Sequence, residues 1–362
     1  MPRHTVAKID LDALRHNYRL ARDRAGDAIA MAVIKADGYG HGIRTVARAL
    51  AADTDCFAVA CLEEAQAIRE EGLPHTVVLL EGMHAAEDVA TCCQLGLEPV
   101  IHSHHQLDWL AAGPAAPQCW VKVNSGMNRL GFAPEDLKEA MARLASAGCP
   151  VRGFMTHFAA ADEPDSPATA EQTRCFQAAV APWPEAQLSV GNSAAHFRPG
   201  QPLFDWSRPG IMLYGASPLP DRNGPELGLQ PVMSLESELI AVRTLRPGDA
   251  VGYGQTWVAE RPTPMGIVAI GYGDGYPRHA GTGTPAWVNG RRVSLIGRVS
   301  MDMLAVDLSE APDARPGDRV ELWGAHVSVD EVARQAGTIG YELLTGVTAR
   351  VPRLYHQSGR NA

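Results

Sequence analysis

From about residue 30 to residue 215, short apolar runs and amphipathic stretches alternate without a break, and this alternation limits the fold more than any other feature of the chain. The runs are "AMAVIK", "CFAVA", "TVVLL", "EPVI", "CWVKV", "VRGFMTH", "QLSVG" and "PGIMLYG". Between them lie helical patterns such as "GIRTVARALAAD", "LEEAQAIREEG" and "PEDLKEAMARLASAG". Eight strand candidates in strict β/α order are the pattern of a parallel (β/α)8 barrel, the TIM barrel. A doubly wound open sheet is the competing architecture. The number of units, and the lack of a GxGxxG loop after the first strand, favour the barrel. An amphipathic helix in "IDLDALRHNYRLARDRAG", stopped at Gly26, precedes it.

The alternation ends in a Pro/Gly-rich stretch at residues 217–231, "SPLPDRNGPELGLQP". The remainder of the chain reads mostly as strands, in "SLESELIAVRTL", "MGIVAIGYG", "RRVSLIG", "MLAVDL" and "RVELWG". Arg-Pro-Gly-Asp occurs at 246–249 and again at 315–318, and Pro then Gly suits the centre of a type II turn. Ser328 and Glu331 have capping-box spacing before one short helix. A chain of 362 residues is too long for one ordinary core. We therefore expect two domains, a barrel over 1–226 and a β-rich domain over 227–362, with the first nine or so residues a candidate strand of the second.

Bulk properties exclude several classes. A net charge of −9 disfavours nucleic acid and anionic membrane as partners. No apolar run approaches the ~20 residues of a membrane span, and "MPRHTVAKIDLDALRHNY" lacks the apolar centre of a signal peptide. The seven cysteines show no CxxC spacing, so a reducing cytoplasm is the expected compartment.

In a barrel of this kind the chemistry sits at the C-terminal ends of the strands. The segment "AVIKADGYGHG" ends an apolar strand in Lys35, before a glycine-rich loop holding Tyr39. An isolated lysine there is ordinarily one that snorkels to water. Its counterparts change that balance. The fifth strand carries Lys122 and leads to Arg129; the sixth ends in His157; the seventh ends in Gly191-Asn192-Ser193; the eighth is entered by Arg208. Cations, a histidine and a Gly/Asn/Ser turn at one mouth suit a phosphorylated carbonyl cofactor. The lysine can form a Schiff base, and backbone N–H groups and Ser193 can cradle phosphate. Pyridoxal phosphate is that cofactor.

These residues carry a resemblance that runs the length of the chain. "AVIKADGYGHG", "KVNSGMNRLGF", "THFAAADE", "GNSAA", "RPGIMLYG", "VGYGQTW", "GYGDGYPR", "GRVSMD" and "ARVPR" occur in order, and together they resemble the alanine racemase family. The resemblance implies a pyridoxal-phosphate enzyme with a barrel and a C-terminal β-domain, working as a homodimer on L- and D-alanine. It makes Lys35 the cofactor's anchor and the base on the D-face. Tyr253 becomes the base on the L-face, supplied by the other subunit. Tyr39, Asn192, Ser193, Gly210, Ile211 and Tyr341 match the phosphate and cofactor shell. Arg208 matches the arginine facing the pyridine nitrogen, and His157 its buttress. Arg129 and the Met301 backbone match groups that hold the cofactor's phenolic oxygen and the substrate carboxylate. Tyr272, Arg298, Asp162 and Asp302 match the access funnel. Lys122 matches a lysine often carbamylated in the family, which would let it pair with Arg129. Ser300 departs from the pattern, since relatives often carry cysteine there, so pocket size or inhibitor reactivity is expected to differ.

Racemisation removes a proton from one face of a carbon and delivers one to the other, so two different bases suit it. Free lysine and tyrosine both titrate near pH 10, and both would need neighbouring cations or burial to work at neutrality. An arginine at the ring nitrogen is always protonated and can only donate. The expected result is a weaker electron sink and fewer transamination by-products, a balance that Arg208→Glu should reverse.

Three signals are discounted. His102, His104 and His105 form a tempting metal cluster but sit at a helix start without an acidic or cysteine partner in the segment. "GYGDGYPR" resembles a phosphate loop but opens no helix. Cys92 and Cys93 read as packing thiols. No metal is expected. Rival functions are a broad-specificity or serine racemase of the same family, a pyridoxal-phosphate decarboxylase, and a non-catalytic cofactor carrier. Arg208 and Tyr253 count against the decarboxylase, and the β-domain carrying Tyr253 counts against the carrier. D-Alanine would serve cell-wall precursors; a catabolic role is equally compatible.

Overall fold

Asp10 closes the first strand, β1 (Val6–Asp10), and opens the first helix, α1 (Leu11–Ala25), in a computed structural model that describes residues 3–357. Its carboxylate accepts the N–H groups of Asp12 and Ala13, two donors that the helix cannot satisfy itself. Gly26 ends the helix at a φ of 63°, where a residue without Cβ is unstrained.

Next in the chain comes the barrel. Its first stave is split about Met31 into β2 (Ile29–Ala30) and β3 (Ala32–Val33). Then come β4 (Cys56–Val59), β5 (Thr76–Leu79), β6 (Leu97–Ile101), β7 (Cys119–Lys122), β8 (Val151–Met155), β9 (Gln187–Ser189) and β10 (Trp206–Ser207). Neighbours pair in parallel from β3 to β10. Because β10 pairs with β2 and β3 with β4, the sheet closes on itself through Met31. Strands β4, β6 and β7 are buried along their whole length, as staves covered inside and out must be.

The eighth strand departs from the sequence reading. It is Trp206–Ser207, and "PGIMLYG" instead winds into a 3-10 turn over Ile211–Tyr214. Pro209 has no N–H for a ladder, and the four apolar residues after Gly210 are buried beneath α1 without pairing. A short apolar run looks the same in either state. Arg208 therefore leaves the eighth strand rather than entering it.

The second unit is an eight-stranded sheet around the long strand Met233–Leu245. That strand pairs antiparallel with β1, with Arg319–Trp323 and, past a bulge, with Thr263–Val268. On its other side β1 runs parallel to Arg353–His356, so both ends of the described chain lie in this sheet. At both Arg-Pro-Gly-Asp turns the glycine has positive φ, 90° at Gly248 and 94° at Gly317. Asp249 N–H and Asp318 N–H close them onto Arg246 O and Arg315 O. The expected capping box is only half made. Ser328 Oγ accepts from Asp330 N, while the Glu331 carboxylate is taken by Arg292. Asp330 instead turns inward. It is 6% exposed, and its carboxylate accepts Ser217 N–H and Gly224 N–H, fastening the Pro/Gly-rich linker to the second unit. One contiguous apolar core runs from the barrel into the second sheet.

Candidate active site

Because the staves run parallel, the residues at or just past their C-terminal ends lie at one mouth. After β3 the chain does not continue as an ordinary loop. Ala36, Asp37, Gly38 and Tyr39 have φ of 52°, 53°, 61° and 51°, one turn in the left-handed region, although only one of them is glycine. Asp37 Oδ1 accepts Ile43 N–H, and Gly40 N–H returns to Ala36 O, which closes the turn. The turn swings Tyr39 under the mouth, stacked on Tyr214 with ring centroids 4.7 Å apart and 6.1 Å from Tyr341. Lys35 stands half-buried at its start, with no hydrogen bond to its ammonium among the described residues.

Tyr39 meets the segment after β10. A Cβ on Gly210 would lie 2.4 Å from the Tyr39 hydroxyl oxygen, so the Tyr39 hydroxyl comes this close to the backbone only because the residue is glycine. Ser193 Oγ accepts Gly210 N–H at 2.8 Å and Met212 N–H at 3.4 Å, and Asn192 Oδ1 accepts Ala195 N–H at 3.1 Å. Burial pushes the phenols of Tyr39 and Tyr341 well above their usual value. Both stay protonated at any physiological pH and can only donate to an anion placed between them. Tyr39, Ser193, Gly210 and Ile211 thus form a small cradle.

Arg208 lies across the barrel floor of this mouth, 5% exposed, with no carboxylate partner among the described residues. Its guanidinium donates to Ser189 Oγ at 2.6 Å, to Thr156 O and to Val190 O at 3.3 Å, and lies 3.3 Å from His157 Nδ1. Burial lowers its pKa to about 10, which leaves it charged at neutrality. Burial, and then Arg208 itself, drive His157 far below the usual imidazole range. His157 is therefore neutral, and its Nδ1 lone pair receives the arginine.

Lys122 ends β7 at 8% exposure, with no ion-pair partner among the described residues. Burial lowers its pKa to about 8, helped by the positive charges of Arg208, Arg129 and Lys35. Arg129 is exposed, in a loop organised by Asn124, whose Oδ1 accepts Gly126 N–H and Asn128 N–H. Lys122, Arg129 and His157 share the walls of one narrow hollow. Asp162, beyond β8, adds by its charge to the rise of the Tyr341 phenol, after burial and Tyr39.

The remaining expected site residues lie elsewhere in this chain. Tyr253 is 69% exposed between Gly252 and Gly254, with Arg298 under Gly254. Met301 is exposed, its carbonyl accepting Gly273 N–H, and Tyr272 N–H returns to Ser300 O. Asp302 pairs with Arg350 at 2.7 Å. Among the described residues no hydrogen bond or ion pair joins this group to the barrel mouth. A hollow of about 550 Å³ lined by Arg3, Glu238, Ile240, Asp302, Met303 and Arg350 also lies wholly on the second unit.

Sequence reasoning missed several supports. Asp274, fully buried, holds the "GYGDGYPR" turn by accepting Gly271 N–H and pairing with Arg3. Gln172 ties His157 O to Ala159 N–H and reaches Ser125 Oγ. Ser189 was legible in principle, since a lone hydroxyl in the apolar run "QLSVG" needs a buried partner. Glu64 gave no local signal. Of the three discounted histidines, His102 bonds Glu81 O and lies edge-on to His105, which also packs on Trp109, while His104 packs on the Phe132 ring.

Two family profiles cover the chain. The alanine racemase N-terminal domain matches residues 9–218, and the alanine racemase C-terminal domain matches residues 232–355. An alanine racemase of Marinobacter nauticus is 65% identical over 357 residues, 98% of this chain and 100% of the relative. A biosynthetic alanine racemase of Pseudomonas aeruginosa is 52% identical over 356 residues, 98% of this chain and 99% of the relative. The crystal structure of biosynthetic alanine racemase from Pseudomonas aeruginosa superposes with a TM-score of 0.94 at 51% identity, over 98% of this chain and 100% of that one. An alanine racemase from Bartonella henselae, described with covalently bound pyridoxal phosphate, has a TM-score of 0.87 at 28% identity, over 98% of this chain and 100% of that one. Profiles spanning nearly the whole chain and full-length likeness in sequence and fold lead to one conclusion: this chain belongs to the alanine racemase family.

Proposed function

We propose that this protein interconverts L- and D-alanine with pyridoxal phosphate held on Lys35, using Lys35 on the D-face and Tyr253 of the partner subunit on the L-face. The observation that carries the reading is Arg208, a buried guanidinium bonded only to neutral acceptors, beside a neutral histidine.

The residues fit the cofactor. The groups that meet at Gly210 offer donors for a phosphate: the Tyr39 and Tyr341 phenols, Ser193 and the backbone at Ile211. Lys35 offers the amine for the aldehyde, and Arg208 offers a donor that cannot become an acid toward a ring nitrogen. When bound, pyridoxal phosphate supplies a conjugated ring that withdraws electrons from the substrate's Cα–H bond. Everything else falls to the chain. Lys35 Nζ takes or gives the proton on one face. His157 and Ser189 hold the Arg208 plane, so that it faces the ring rather than turning to solvent. Arg129, and the Met301 backbone supplied like Tyr253 by the partner subunit, hold the cofactor's phenolic oxygen and the substrate carboxylate.

Tyr253 stands on an exposed turn that, among the described residues, no hydrogen bond or ion pair joins to the mouth, which supports a homodimer with shared sites. Ile240, Met301 and Met303, exposed on the same unit, are the kind of surface a partner covers. For Lys122 we propose a carbamate. An amine with a pKa near 8 is partly neutral at pH 7, as attack on CO2 requires, and the product turns an uncompensated buried cation into a partner for Arg129. A carbonyl resonance from 13C-bicarbonate that disappears in Lys122→Ala would verify it. The unpaired cysteines support a reducing compartment, the cytoplasm.

The test is a chiral assay of purified protein with pyridoxal phosphate, offering L-alanine, L-serine and L-lysine separately. Rapid D-alanine formation with little product from the others is the expected result. Comparable turnover of all three would make it a broad-specificity racemase, and no D-product from any would overturn the reading. The "biosynthetic" relative of Pseudomonas aeruginosa favours supply of D-alanine to the cell wall over catabolism.

A further inference from the structure

The turn that carries Lys35 is strained, and one carboxylate from another stave holds it. Glu64 lies in the first turn of the helix Leu62–Glu70, which comes after β4. Its Oε2 accepts Ala60 N–H at 2.8 Å, an N-terminal capping bond of its own helix. Its Oε1 reaches across to the neighbouring stave and accepts Ala36 N–H at 2.6 Å. Ala36 is the residue after Lys35 and the first of the left-handed turn.

We propose that Glu64 is a positioning residue for Lys35: by bonding both Ala36 and Ala60 it locks the left-handed turn that fixes where the amine and the Tyr39 hydroxyl stand. The inference rests on the assignment of Lys35 as cofactor anchor. Left-handed conformation is disfavoured for Ala36, Asp37 and Tyr39, because each carries a Cβ. A segment of that kind persists only when its surroundings over-determine it. The bonds within the turn, Gly40 N–H to Ala36 O and Gly42 N–H to Asp37 O, hold the turn to itself. They do not fix it to the barrel. At its start the Ala36 N–H bond to Glu64 and the Gly38 N–H bond to Ile34 O do so, and at its far end the Arg353 Nε bond to Gly40 O ties it to the second sheet. Only an ionised carboxylate presents two acceptors with no donor, so only that group satisfies both N–H groups at once. A glutamine accepts through one oxygen and turns an NH2 toward the other N–H. An alanine removes both bonds.

The experiment compares wild-type, E64Q and E64A holoenzymes by three measurements. These are amide exchange in peptides spanning 34–42 and 58–64, kcat and KM for L-alanine, and borohydride reduction followed by peptide mapping of the cofactor-bearing lysine. In both variants exchange at 36–40 is expected to quicken by about tenfold or more. In E64A kcat per cofactor fixed at Lys35 is expected to fall by up to about 10²-fold, the scale of a reacting group misplaced by an ångström, with KM nearly unchanged. E64Q should fall between E64A and wild type, and should fold normally because it keeps size and one bond. Faster exchange with unchanged kcat per labelled Lys35 would overturn the positioning role, leaving Glu64 a helix cap. Unchanged exchange would overturn it as well. Cofactor fixed at a lysine other than Lys35 in the wild type would overturn the anchor assignment instead.

Discussion

Arg208 and Gly210 sit two residues apart and show how much of this site is decided by single atoms. Arg208 brings a full charge into a place with neutral acceptors only, and commits its N–H groups to Ser189, Thr156 and Val190. A buried charge without a counter-ion is costly. It is tolerated here because both terminal nitrogens have neutral acceptors, and burial still draws its pKa down to about 10. Gly210 acts by what it lacks. In Gly210→Ala the new methyl would press on the Tyr39 hydroxyl, 2.4 Å away. We expect a loss of about 1–3 kcal/mol by overpacking, with weaker retention of pyridoxal phosphate. Thermal melts with and without added cofactor measure the two effects separately.

At the scale of elements, two loops are fixed by buried acids rather than by their own turn chemistry. The Tyr272–Asp274 turn depends on Asp274, which accepts Gly271 N–H and pairs with Arg3 and, at 3.5 Å, with Arg350. The linker depends in the same way on Asp330. Asp274→Asn keeps the shape and removes the charge facing two arginines. Breaking a buried pair ordinarily costs about 3–5 kcal/mol, but both arginines are partly exposed and water recovers part of that. The expected loss is about 2 kcal/mol, read as a shift in urea midpoint without a change in slope. The turn carries Tyr272 and abuts Met301, so KM should rise with it.

Two predictions belong to the whole molecule. If Tyr253 works in the partner's site, Lys35→Ala and Tyr253→Phe homodimers are each nearly inactive. Unfolding and refolding them together makes about half the dimers mixed, and each mixed dimer has one intact site of two. About a quarter of wild-type activity should return. Pairing within one chain would restore none. The second prediction concerns acid. Burial lowers His41 and His196 to about 4 and His157 well below its usual value, so the native state holds all three neutral. The unfolded chain protonates them below about pH 6.5. Between there and their native values the unfolded state binds more protons, so stability falls as pH falls. The limiting slope is about 4 kcal/mol per pH unit for three histidines. Urea midpoints at pH 7, 6 and 5 measure it, and His41→Asn should reduce the slope by up to a third.

The sequence by itself determined the alternation that makes a barrel, the stave ends where Lys35, Lys122 and His157 stand, and the turns at Gly248 and Gly317. Each of these is a local rule: periodicity, a strand's last residue, or a φ that favours glycine. Tertiary structure decided the rest. It moved the eighth stave from Ile211–Tyr214 to Trp206–Ser207, because an apolar run is buried equally well as a strand or as a tight turn, and only pairing distinguishes them. It divided Glu331 and Asp330 between a surface arginine and the linker, which capping-box spacing could not foresee. It placed Glu64 on Ala36, 28 residues back in the chain. A carboxylate that serves a distant N–H leaves no periodic trace, because its partner is chosen by the closure of the barrel and not by its own neighbours.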